Sequence, residues 1–128
     1  DGERTHRYCA EASDYPEVAA AAIKEMHRQV GDLVIDGNGI ARRDLLVRHL
    51  VLPEGLAGTR EIMRFIADDI STDTYVNIMT QYRPCGRAAE VRELAAYPTE
   101  NDFQRARRAA IEAGIRRLDR PGRVFALR

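Results

Sequence analysis

The stretch Leu45-Leu46-Val47-Arg48-His49-Leu50-Val51-Leu52 decides the fold, together with Tyr75-Val76-Asn77-Ile78-Met79-Thr80-Gln81-Tyr82 further along the chain. The first run is apolar on both alternating faces, the pattern of a strand covered on both sides in a parallel sheet. Between the two lies Pro53-Glu54-Gly55-Leu56-Ala57-Gly58, a loop, and then a helix predicted from about Thr59 to Ile70. Its buried stripe is Ile62, Met63, Ile66 and Ile70 at helical spacing. Strand, loop, helix and strand in that order predict a right-handed βαβ unit. The fold class read from this pair is α/β with parallel strands.

Working outward, Tyr15 to Val30 reads as a helix. Asp14 stands at its cap position with Glu17 three residues on, and Pro16 fits within the first turn. Val18, Ala22, Ile23, Met26 and Val30 mark one apolar face, and Gly31 supplies a left-handed stop. Leu33-Val34-Ile35, Asp36-Gly37-Asn38-Gly39 and Ile40-Ala41-Arg42 read as a short hairpin on a rim, because Asp-Gly and Asn-Gly accept positive φ cheaply. Arg83-Pro84-Cys85-Gly86 ends the second strand, and a weak helical stretch runs from about Ala88 to Ala95. The last helix starts at Thr99, with Asp102 completing its cap, and runs to about Ala113. Its packing face is Phe103, Ala106, Ala110 and Ile111. Gly114 is its stop, with Ile115 folding back on it. Residues 1–12 are polar and unpatterned, as a cut made in a loop would be, and the tail after Leu118 reads as a loose end. Two or three parallel strands do not close a barrel, and their edges need covering.

The chain has 128 residues, with twenty basic and twenty acidic residues that cancel. A nucleic-acid or anionic-membrane surface needs an excess of Lys and Arg, so neither partner is expected. No apolar run approaches the roughly 20 residues of a membrane helix, and no signal peptide is expected. Cys9 and Cys85 therefore read as reduced thiols of a cytoplasmic protein. Metal binding by this chain alone is not expected, since Cys9, Cys85, His6, His27 and His49 lack ligand spacing. There is no nucleophile elbow, and the chain holds no self-contained catalytic set.

Four residues stand out as candidates for binding. If Arg48 shares a face with Leu46, Leu50 and Leu52, it lies on an otherwise buried strand, where a guanidinium must be paired or meet an anion. Carboxylate or phosphate suits it, and so does a structural carboxylate. His49 reads as a packed, hydrogen-bonded core histidine. On the second strand Tyr75, Asn77, Met79 and Gln81 share one face; Asn77 and Gln81 are the amides suited to a polar lumen. In β/α barrels functional groups cluster at the carboxyl ends of strands, which points to Gln81, Tyr82 and Arg83, although a solvent-exposed strand end reads the same. Gly55-Leu56-Ala57-Gly58-Thr59 could cradle an anion, and a tight turn into the helix explains it equally well.

Taken in series, these motifs resemble one family. They are Asp14-Tyr15-Pro16-Glu17-Val18, Ile23 to Gly31, Gly39-Ile40-Ala41-Arg42-Arg43, Leu46 to Pro53 and Tyr75 to Pro84. They resemble the C-terminal part of radical S-adenosylmethionine proteins homologous to pyruvate formate-lyase activating enzyme, over about Tyr15 to Leu118. The resemblance implies that residues 1–128 are the C-terminal portion of a partial (β/α) TIM-like barrel. It implies an oxidoreductase-type parent whose [4Fe-4S] cluster, held in a CxxxCxxC loop, cleaves S-adenosylmethionine. The 5′-deoxyadenosyl radical then abstracts a hydrogen atom, in activating enzymes from a glycine of a partner protein. The CxxxCxxC loop is absent here, so this chain alone is expected to hold no cofactor and to be inactive. Arg48 matches a strand arginine near substrate and cofactor. Gln81 and Tyr82 match the end of the last barrel strand near the adenine, with Asn77 beside them. Thr80 stands where the family carries an acid.

Two other readings remain open on the residues. One is a small self-contained α/β binding or interaction domain, which predicts a cooperative, monomeric unfolding transition, whereas exposed strand edges predict a homo-dimer or aggregation. The other is part of a non-redox barrel enzyme for a phosphorylated substrate, resting on Arg48 and the Gly55–Gly58 loop.

Overall fold

The computed structural model describes residues 2–8, 12–43 and 45–119, without the side chains of Arg4 and His6. Cys9 and the tail beyond Asp119 lie outside the described residues. The central element is a three-stranded parallel sheet of β3 (Leu46–Leu50), β4 (Tyr75–Met79) and β5 (Arg117–Leu118), in the order β3-β4-β5. The register pairs Val47 with Val76, Arg48 with Asn77 and His49 with Ile78, and on the other side Val76 with Leu118. The strands thus lie side by side in chain order, each joined to the next through a helical connection.

Those connections pack on one face. α3 (Thr59–Phe65) runs into a π-helical turn, Ile66–Ile70, and α4 (Glu100–Glu112) leads into β5. Met63, Ile66, Val76, Ala110 and Ile115 form the core, and Val47, Ile78 and Leu118 pack against it from the sheet. These sheet residues share one face because side chains alternate along a strand. The α4 start is fixed by a full capping box between Thr99 and Asp102, and its end by Gly114 at φ 92° with Ile115 N–H donating to Ala110 O. Ile111, expected in the core, is 60% exposed; Ala109 takes its place.

Among the described residues the opposite face holds no buried side chain. Leu46 is 42% exposed, Arg48 is exposed, and Leu50, Tyr75, Asn77, Met79, Arg117 and Asp119 are half-buried at most. The expectation that β3 is covered on both sides is therefore corrected: among the described residues its apolar run is covered on one side only.

Preceding the sheet are α1 (Gly2–Tyr8), α2 (Tyr15–Val30) and the hairpin β1 (Val34–Ile35)/β2 (Ala41–Arg43). A helix at α1 departs from the unpatterned start read in the sequence. The hairpin turns at Asp36, whose Oδ1 accepts from the amides of Asn38 and Ile40 while Oδ2 accepts from Arg42. α2 has its expected bounds and its Gly31 stop, at φ 72°, but Asp14 makes no side-chain cap. The side turned inward carries Ala20, Ile23, His27 and Val30, while Val18 and Met26 remain 59% and 47% exposed. α2 flanks the π turn through Lys24 Nζ, 2.6 Å from Asp69 Oδ1 and over the Phe65 ring. Between Ala88 and Ala95 the chain forms a 3-10 turn, Gly86–Glu90, and bends rather than an α-helix. No helix among the described residues is long and apolar enough to cross a membrane.

Candidate functional site: the open face of the sheet

Three of the four candidate residues meet on the uncovered face or at its carboxyl edge. Arg48 and Asn77 are cross-strand neighbours in the β3–β4 register. Gln81 follows β4, with its amide nitrogen 3.6 Å from Met79 Sδ on the same face. Tyr82 is placed otherwise. Its phenol donates to Leu94 O at 2.8 Å, and burial, followed by the nearby Cys85, raises its pKa. That hydroxyl anchors the 86–95 loop and is not presented to the open face.

Arg48 makes no ion pair or hydrogen bond among the described residues. The expectation of a buried, compelled partner fails because the face it lies on is open, so water solvates the guanidinium at no desolvation cost. What remains is an unengaged planar fork suited to carboxylate or phosphate.

Beside it sits a constellation that the sequence did not announce. Asp119, just after β5, accepts from Tyr75 Oη at 3.0 Å through Oδ1 and from the Asn77 amide through Oδ2. Its backbone N–H donates to Val76 O, and its carbonyl accepts from Arg107 at 3.2 Å. Arg117 stacks over the Tyr75 ring at 5.6 Å and donates to Leu33 O. Asn77 is thereby held with its amide NH2 turned toward Asp119, which leaves the carbonyl oxygen to accept. Across the sheet the face reads cation (Arg48), amide (Asn77), carboxylate (Asp119). Asp119 was missed because Arg117-Leu118 is too short to read as a strand, so the register that brings the acid to Asn77 was invisible.

The rear of β3 is a different environment. His49 is buried, its Nε2 lies 2.9 Å from Thr59 Oγ1, and desolvation pushes its pKa down to about 4. It is neutral at physiological pH and ties β3 to the first turn of α3, the packed histidine expected from the sequence. Gly58, at φ 64°, lets the chain enter α3 there, so the tight-turn reading of that loop suffices. A second polar junction joins α2 to the amino end of β4. Asp32 accepts from Ser71 Oγ at 2.8 Å and Thr74 Oγ1 at 3.3 Å, and lies 3.2 Å from His27 Nε2. Because Ser71 bonds the carboxylate and not the imidazole, this set is a brace and not an activated nucleophile.

For an iron–sulfur cluster the fit is poor. Among the described residues no three His, Cys, Asp or Glu side chains converge as metal ligands, and Cys85 is an exposed free thiol. No family model, curated protein or solved structure matches the chain.

Proposed function

We propose that residues 1–128 form the closing wall of a partial (β/α) barrel in a radical S-adenosylmethionine protein, of the kind homologous to pyruvate formate-lyase activating enzyme. In this reading the open face of β3–β5 lines the lumen. One observation carries it: parallel strands adjacent in chain order, with both connecting helices on one side and, on the other, an open face that carries Arg48, Asn77 and Asp119 among Leu46, Leu50 and Met79. A doubly wound sheet places helices on both faces, whereas a barrel wall places them on the outside only. The α2 helix extends the pattern, since it precedes β3 on the same flank as the π turn and keeps Val18 and Met26 open to a further neighbour.

Arg48 would hold the ligand's carboxylate, Asn77 would accept from its hydroxyl or amino groups, and Gln81 would close the carboxyl rim. Tyr82 would shape that rim by pinning the 86–95 loop. A cluster in the parent would supply the electron for cleaving S-adenosylmethionine; residues 1–128 contain no CxxxCxxC loop to hold it. In activating enzymes of this kind the substrate is a partner protein, which would enter over the open face.

The test is the parent coding sequence. A CxxxCxxC loop upstream, an iron–sulfur absorption band after anaerobic reconstitution, and release of 5′-deoxyadenosine that Arg48→Ala suppresses are the expected results. An upstream sequence without the three cysteines overturns the reading.

A further inference from the structure

A cleft of about 440 Å³ lies away from the open face, between the β3–α3 loop and α4. Its volume falls within the range of small-molecule sites, roughly 300–1,000 Å³. Arg60 of α3 and Glu112 of α4 pair with each other and Asp102 is held in the capping box with Thr99; the charged side chains that remain on the cleft's lining are segregated by sign. Glu54 and Glu61 come from the loop and the first turn of α3; Arg105 and Arg108 come from one side of α4, with the small Ala106 and Ala109 leaving room between them. None of these four charged side chains makes an ion pair or hydrogen bond among the described residues, although Arg105 is close enough to Asp102 to help lower its pKa. The cleft's other arginine, Arg60, is already paired with Glu112 at 3.3 Å. Opposite charges that face one cavity without touching form a slot for a molecule with both signs.

A second observation is independent of the cavity. Glu54 is the only non-glycine with positive φ among the described residues, at φ 55° and ψ 19°. A side chain in the left-handed region costs of order 1 kcal/mol, and such outliers gather at ligand sites. The flanking Gly55 and Gly58 also have positive φ. The loop thus spends glycine's freedom twice and still keeps a carboxylate at the one position where glycine would relax it.

We propose that this cleft is a binding site for a small zwitterion, its ammonium held by Glu54 and Glu61 and its carboxylate by Arg105 and Arg108. An aliphatic body between the two ends would lie over Ala106 and Ala109. The site needs neither the barrel nor a cofactor, so it stands apart from the reading of the open face.

The test titrates the full chain, followed by amide and arginine side-chain NMR shifts, with glycine, β-alanine, 4-aminobutyrate and 6-aminohexanoate. Acetate and methylammonium at matched ionic strength are the controls. One member of the series should saturate with shifts confined to the loop and α4, at least about tenfold tighter than either control. Arg105→Gln should abolish that preference and leave the fold intact. Glu54→Gly should raise Tm while weakening binding, because it removes strain and carboxylate together. Equal shifts from acetate and the best zwitterion, or a Glu54→Gly variant that binds undiminished, overturn the proposal.

Discussion

Replacing His49 with Gln should flatten the acid limb of the stability curve. The imidazole is neutral in the folded state with a pKa of about 4, against 6.5 for an unburied histidine, because desolvation disfavours its charged form. Between those values the unfolded chain binds a proton that the folded chain refuses. The contribution of His49 is therefore fully present above pH 6.5 and is lost as pH falls through 6.5 toward 4. At about 1.36 kcal/mol per pKa unit, the loss between about pH 7.5 and about pH 4.5 comes to about 2.5 kcal/mol. A domain of this size has only about 5–15 kcal/mol in total, so the effect is measurable. Gln keeps an amide within reach of Thr59 and does not titrate. Urea unfolding of both proteins across that range gives the difference directly, and carboxylates, His6 and His27 cancel because both proteins share them. The stability advantage of the native protein over His49→Gln should shrink by about 2.5 kcal/mol on acidification. A gap that stays constant, or a folded-state His49 titrating near 6.5, refutes the assignment of a dry pocket behind β3.

Other outcomes separate the two faces of the sheet. Met63→Ala, at a fully buried core position, should cost about 2–5 kcal/mol in chemical denaturation, whereas Met26→Ala on the open flank of α2 should stay within about 0.5 kcal/mol. Thr99→Ala removes the hydroxyl that accepts from the Asp102 N–H, leaving the Asp102 carboxylate on the backbone N–H of residue 99, and should cost about 0.5–2 kcal/mol, read as a lower urea midpoint. Arg48→Ala should leave stability within about 0.5 kcal/mol, since an exposed guanidinium without a partner among the described residues adds little packing; a large loss would show that it is structural after all. Among the described residues the outer edge of β3 pairs with no strand, so the isolated chain should self-associate in sedimentation runs, and Leu46→Lys on that edge should suppress it.

The sequence made the elements legible wherever periodicity and punctuation agreed. Tyr15–Val30, with Pro16 inside and Gly31 after, was readable to the residue, as was the Asp36–Gly39 turn. It misled on coverage. Leu45 to Leu52 has the composition of a doubly buried strand, but composition reports what a strand can tolerate and not what lies over it. Leu46 and Leu50 face outward beside Arg48, and only the assembled helices reveal this. The same limit hid the inward side of α2, where Ala20 and His27 carry little hydrophobic signal. The site was half legible: alternation placed Asn77 with Tyr75 and Met79, but Asp119 needed the β4–β5 register, which two residues of strand cannot advertise.

The one-sided sheet bears on how the open face could work. Asn77 does not point freely: Asp119 takes its NH2, and Tyr75 braces that carboxylate from the second oxygen. An amide fixed in this way offers its carbonyl in one orientation, so a ligand meets an acceptor already aligned and loses less entropy on binding. Arg48, with no partner among the described residues, is the opposite case, an exposed donor that would gain its partner only with the ligand. Disrupting the brace should therefore loosen the site without removing a direct contact. On the proposed reading, Asp119→Asn should weaken ligand binding while Arg48 still contributes, and Asp119→Asn with Arg48→Ala should cost less than the sum of the two if both act on one ligand. Strict additivity would place them in separate sites and would dismantle the reading of a single lumen row.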